Sequence, residues 1–164
     1  MPAISDSSPI IFCAAVGRLN LLRDVYQEIL VPPAVWREVV VEGAGRPGAA
    51  EVASARWIVR ESAPTAEGRE LPLAALDPGE REAILLAFVA SRATPILLDD
   101  LRARSVAERI GLRVTGTVGV LLLAKQLGLV PAVRPVLDQL RAVGYFLSRD
   151  AANRSLALAD ETPG

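Results

Sequence analysis

The stretch Pro95-Ile96-Leu97-Leu98-Asp99-Asp100-Leu101-Arg102-Ala103-Arg104 decides the fold. Its apolar run Ile96-Leu97-Leu98 reads as a short buried strand, and the amphipathic stretch from Leu101 to Ile110 as the helix that follows. Between them stand two adjacent carboxylates. Like charges in one small site repel, by about 4 kcal/mol at ~4 Å for an effective dielectric of about 20, and so raise each other's pKa. A bound divalent cation would offset that repulsion. A helix cap followed by a first-turn acid would also account for the pair, because acids favour the N-terminal end of a helix.

The same alternation repeats on either side. Ala3-Ile4-Ser5 reads as a first strand ending at Asp6, and Ser7-Ser8-Pro9 opens a helix that Gly17 stops. Leu19, Leu22 and Tyr26 share one face of a second helix. Glu28 to Val31 reads as a second strand, ended by Pro32-Pro33, which open a helix carrying Val35, Trp36, Val39 and Val40. After the loop Gly43 to Gly48, a short helix from Ala49 to Ala55 leads to a third strand, Trp57 to Arg60. Ser62 to Asp77, with Pro64, Gly68 and Pro72, is polar and is expected to be the most mobile surface segment. Asp77-Pro78-Gly79-Glu80 has the pattern of a capping box, and its helix runs to Ser91. Leu112 to Thr115 makes a fifth strand. Gly116-Thr117 opens a helix to Leu127, Pro131 to Val143 forms another, and a short element follows Tyr145. Strands alternating with helices predict an α/β/α sandwich around a central, mostly parallel sheet of about five strands. The expected organisation is a single domain over 1–150 and a C-terminal tail over 151–164. Ligands of such sheets bind outside the carboxyl ends of the strands, which puts Asp6, Asp99 and Asp100 along one edge.

Composition narrows the chemistry. The chain has 164 residues and no histidine, which excludes Ser-His-Asp and Cys-His catalysis and His-liganded zinc. With one cysteine, Cys13, it cannot build a soft-metal site, so any metal is held by oxygen. Cys13 lies in an apolar run and reads as a buried small hydrophobe. No apolar run approaches the roughly 20 residues of a membrane span, and no basic segment precedes the first apolar run, so the cytoplasm is the expected compartment. Eighteen basic side chains against 19 acids leave a net charge of −1, which by itself selects no partner. Aromatics, at 4%, are too few for an extended base-stacking platform.

Two further acids, Glu38 and Glu82, lie about one turn into their helices; either alone reads as a solvated helix acid. As an ordered set, Asp6, Glu38, Glu82 and Asp99-Asp100 are more specific. This order resembles the PIN-domain family of metal-dependent ribonucleases, the fold of VapC-type toxins. The resemblance rests on Ile4-Ser5-Asp6-Ser7-Ser8-Pro9, on Val31-Pro32-Pro33-Ala34-Val35 with Glu38-Val39, on Gly79-Glu80-Arg81-Glu82-Ala83-Ile84, and on Leu97-Leu98-Asp99-Asp100 with Ala103-Arg104. Val114 to Leu121 and Gly128-Leu129-Val130-Pro131 are similar to a PIN-like subgroup of unknown function (DUF3368-type), and the likeness covers about Ala3 to Ser148. Leu98 stands where many PIN domains have Thr or Ser, and Glu80 rivals Glu82 as the third acid.

The resemblance implies catalytic roles for Asp6, Glu38, Glu82 and Asp100, and Mg2+ or Mn2+ held by Asp6, Glu82, Asp99 and Asp100, with Asp100 favoured over Asp99. The metal would activate a water for attack on an RNA phosphodiester. Ser7, Thr117, Arg37 and Arg104 are candidate phosphate or water contacts, with Arg81 and Arg102 as further cations beside the acids; helix caps and local charge pairs are the plainer readings of these side chains. The implied partners are RNA, a second copy in a homodimer, and an antitoxin whose segment blocks the acidic groove. A non-catalytic PIN-like module that binds an antitoxin or itself is the alternative. A receiver-like phosphoacceptor would have the acid pair after the first strand, the reverse of the order here.

Overall fold

A computed structural model describes residues 1–64 and 70–162. Five short strands, β1 (Ala3–Ser5), β2 (Ile29–Val31), β3 (Ile58–Arg60), β4 (Ile96–Leu97) and β5 (Val114–Thr115), form one sheet in the order β3-β2-β1-β4-β5. All four pairings are parallel. The helices are α1 (Ser7–Ala15), α2 (Asn20–Tyr26), α3 (Pro33–Trp36), α4 (Ala49–Ser54), α5 (Pro78–Ala90), α6 (Leu101–Arg109), α7 (Thr117–Gln126), α8 (Arg134–Ala142) and α9 (Arg149–Leu158). The α/β/α architecture read from the alternating pattern is the one observed. None of these helices is long and apolar enough to cross a membrane.

The sheet is covered on both faces because successive side chains of a strand point to opposite sides. Ala3 is paired with Ile29 and Ser5 with Leu97, and Ala3, Ile29 and Leu97 pack with Ile10, Leu22 and Val35 on one face. Ile4, paired with Ile96, packs with Leu98, Ile84 and Ala107 on the other. Cys13 is buried in the first of these layers. Burial, and secondarily the Asp99 carboxylate, pushes its thiol up to about 12, so it acts as an inert apolar side chain.

Several local details depart from the pattern. The helix opened by Pro33 widens after Trp36 into a π-helical turn, Arg37–Val41, which carries Glu38. Of the segment expected to be mobile, residues 65–69, Gly68 included, lie outside the described residues. The described part beyond it is a surface loop, exposed at Glu70, Pro72, Ala74, Ala75 and Asp77, but it is anchored at two points. Leu73 and Leu76 are 5% and 4% exposed and pack against Ala83, Ile84 and Leu86. Two leucines among Pro, Gly, Ala and Glu carry no periodic signal, so their burial was not readable.

The segment from residue 151, expected as a tail, lies mostly in α9, which buries Ala152 and Leu156. Beyond α9, Glu161 accepts hydrogen bonds from Lys125 Nζ (2.9 Å), Val133 N (2.6 Å) and Arg134 N (3.0 Å), and so ties the chain end to α7 and to the start of α8. Lys125 Nζ also donates to the Ala159 carbonyl. Burial works against the Glu161 charge, but the two backbone N–H groups and Lys125 outweigh it and hold the carboxyl at about 2. A depressed carboxyl pKa contributes stability above the unfolded value of 4.5, and that contribution is lost as pH falls through about 2. Glu161→Gln is therefore expected to destabilise the protein by about 2 kcal/mol at neutral pH. Urea unfolding should show the gap between the two proteins narrowing from about pH 4 downwards.

Candidate active site

The chain runs outward from β1 to β2 and β3, then returns to the other side of β1 for β4 and β5. The switch in direction lies between β1 and β4, where open parallel sheets leave a crevice at their carboxyl ends. Asp6 follows β1 directly and Asp99 lies two residues after β4. The Asp6 N–H donates to the Leu97 carbonyl at 3.1 Å, which brings the two strand ends together.

Asp6 is only 6% exposed. Burial raises its carboxyl from 3.8 to about 7; the Ser7 backbone N–H draws it partly back, and the Glu80, Glu38 and Asp99 carboxylates each push it further up. Ser7, also buried, donates its hydroxyl to Glu38 Oε2 at 2.7 Å, so the π-helical turn and α1 meet over Asp6. The first turn of α5 closes the third side. A Cβ on Gly79 would lie 3.0 Å from Asp6 Oδ1, 3.2 Å from Glu38 Oε2 and 3.3 Å from Val35 Cγ2. Only glycine lets α5 approach both carboxylates this closely.

The neighbouring Glu80 completes the capping box expected from the sequence, with the Asp77 N–H donating to Glu80 Oε2 at 3.1 Å. Its carboxyl is raised by burial, opposed by that hydrogen bond, and raised further by Asp100, Asp77 and Glu38. Glu82 turns elsewhere and accepts from Ala34 N at 2.8 Å, satisfying an orphan donor in the first turn of α3.

Asp99 and Asp100 part company. Asp100 caps α6, its Oδ1 accepting from Ala103 N at 2.9 Å. Asp99 accepts three bonds: Thr117 N (2.8 Å) and Tyr145 Oη (2.9 Å) on Oδ1, and Thr117 Oγ1 (2.6 Å) on Oδ2. Arg104 stands beside this group. Its Nη1 donates to the Leu98 carbonyl at 3.3 Å, and a Cβ on Gly116 would meet that same Nη1 at 2.5 Å and Asp99 Oδ1 at 3.0 Å. Arg37, on the π-helical turn, is exposed. Arg81 donates to the Leu76 carbonyl at 3.0 Å.

Asp6, Glu38, Glu80 and Asp99 thus share one electrostatic neighbourhood; Asp100 acts on Glu80 from its edge while capping α6, and Glu82 is engaged with the N-terminus of α3. Glu80 was readable as a capping residue and, through the resemblance, as a rival to Glu82 for the third acid, but neither reading reveals what its carboxylate faces. Tyr145 was not readable at all, because it reaches Asp99 across 46 residues without a motif around it.

A family model described as a PIN domain (DUF3368) matches residues 2–161. The chain belongs to the PIN-domain family. No curated protein and no solved structure matches it. The fold is of nuclease type, and PIN domains are in general nucleases that use divalent metal ions. Among the described residues of this PIN domain, no three acidic or cysteine side chains are gathered closely enough to hold a metal ion as they stand. The donor chemistry nevertheless fits a hard divalent cation, since the groups that act on Asp6 include three carboxylates and no cation.

The raised Asp6 pKa sets a pH dependence. The unfolded carboxyl ionises near 3.8 and the folded one near 7, so metal-free protein loses stability as pH rises between these values, by up to about 4 kcal/mol. Asp6→Asn removes that loss. In chelator, chemical denaturation is expected to show the variant more stable than wild type at about pH 8, with the difference disappearing at about pH 4.

Proposed function

We propose that this PIN domain is an endoribonuclease, dependent on Mg2+ or Mn2+, that hydrolyses RNA phosphodiester bonds as the toxin of a cytoplasmic toxin–antitoxin pair. The observation that carries the reading is Asp6, a buried carboxylate facing Glu38, Glu80 and Asp99 at the switch point of the sheet. Such an arrangement is destabilising unless a cation is drawn in.

Asp6, Glu38, Glu80 and Asp99 would hold the cation. Bound there, it supplies a water of lowered pKa and positive charge for the phosphate oxygens. The chain's own groups do the positioning. Ser7 orients Glu38, the Asp77 N–H orients Glu80, and Thr117 with Tyr145 orients Asp99. Arg104, beside Asp99, offers a guanidinium to a phosphate. A cleft between α8 and α9, lined by Arg134, Arg141 and Arg149, adds cationic surface suited to an RNA backbone. Glu82 acts by tying α5 to α3, and Asp100 by capping α6. A homodimer and a small antitoxin belong to the same proposal, with the exposed Val41, Leu101 and Phe146 as apolar surface for them.

One observation favours the second reading, a PIN-like module that binds without cutting: the spread of the acids, no three of which are gathered for a metal among the described residues. Activity separates the two. Wild type is expected to cleave single-stranded RNA with Mn2+ and to stop in EDTA. Asp6→Asn, Asp99→Asn and Glu80→Gln should each lower the rate by about a hundredfold. Glu82→Gln should act instead on stability, by about 1 kcal/mol, through the lost N-terminal partner of α3. Cleavage that persists in EDTA overturns the metal mechanism, and divalent-cation binding without cleavage of any RNA selects the binding module.

A further inference from the structure

An ionised carboxylate has about four lone-pair sites, two on each oxygen. On Asp99 three are filled by the protein. Oδ1 accepts the Thr117 N–H at 2.8 Å and the Tyr145 hydroxyl at 2.9 Å, and Oδ2 accepts the Thr117 hydroxyl at 2.6 Å. The one that remains is on Oδ2. Asp99 can therefore offer a cation a single oxygen, and a bidentate grip is closed to it as long as Tyr145 donates.

Both donors are firmly placed. Thr117 is fully buried at the start of α7, next to Gly116, whose missing side chain leaves room for Asp99 Oδ1. The Tyr145 ring meets Phe12 of α1 edge to face, with centroids 5.1 Å apart and planes at 87°. The Tyr145 N–H donates to the Leu140 carbonyl at 3.0 Å, and Arg141 Nη2 donates to the Leu147 carbonyl at 3.0 Å across the same loop. Elements far apart in sequence thus agree on where the hydroxyl sits.

Cations differ in what they ask of a carboxylate. Magnesium demands near-ideal octahedral geometry, whereas calcium takes six to eight oxygens and readily uses carboxylates through both. We infer that Tyr145 is a positioning residue that keeps Asp99 a one-oxygen ligand and so biases this site towards small octahedral cations over calcium. The inference rests on the metal reading above and deepens it by naming the cation class that the site prefers.

Titration calorimetry of the full chain with MgCl2, MnCl2 and CaCl2 tests it on three variants. Tyr145→Phe keeps the ring on Phe12 and frees a lone pair on Oδ1, and Tyr145→Leu frees the same lone pair without the ring. Each is expected to raise the ratio of calcium to magnesium affinity by roughly tenfold. Thr117→Val also removes one hydrogen bond from Asp99, but from Oδ2, so Oδ1 stays filled and the ratio should not move. A general loosening of Asp99 would move the ratio in Thr117→Val as well. An unchanged ratio in both Tyr145 variants, or an equal change in Thr117→Val, overturns the inference while leaving the metal reading standing. Wild type that takes up none of the three cations overturns both.

Discussion

The pairing of β1 with β4 is the constraint on which the rest of this PIN domain depends. Ser5 lies opposite Leu97, and the Asp6 N–H reaches the Leu97 carbonyl, so two strands more than ninety residues apart end side by side. That register decides which acids become neighbours. A slip of one residue would turn Ile4 and Leu97 to the wrong faces of the sheet, so the core that buries them also holds the carboxylates in place. The helices then bring their own acids to the crevice: α5 through the bare Gly79, and the π-helical turn through Glu38.

Much of the fold was legible because it is written in periodicities. Apolar strands such as Ile96-Leu97-Leu98, proline and serine helix starts, and the capping box at Asp77 each state a local preference that the tertiary structure keeps. The order of acids along the chain was legible too, as a resemblance. What could not be read was which oxygen faces which. Glu80 and Glu82 are two residues apart on one helix, and about 200° of rotation separates their directions. Their division of labour is set by what lies opposite, Asp77 and the crevice for one and the start of α3 for the other. Asp99 and Asp100 divide in the same way between Thr117 with Tyr145 and the N-terminus of α6.

The site also shows how a near-neutral chain can concentrate charge. Acids that would be unremarkable on a surface become costly together when burial removes water from one of them. Asp6 bears most of that effect because it is the most enclosed, while Asp99 is relieved by three donors. Local stability is given up at the crevice, and the three apolar clusters around the sheet and beneath the C-terminal helices maintain the fold.

The Tyr145 hydroxyl makes the two ends of this architecture answerable to each other. The loop that carries it belongs to α8 and α9, which pack on α7 and are secured by Glu161. Free-energy coupling is reciprocal. The hydrogen bond that steadies Asp99 is also one of the bonds that hold the loop between α8 and α9 against the rest of the domain, so loosening either one loosens the other.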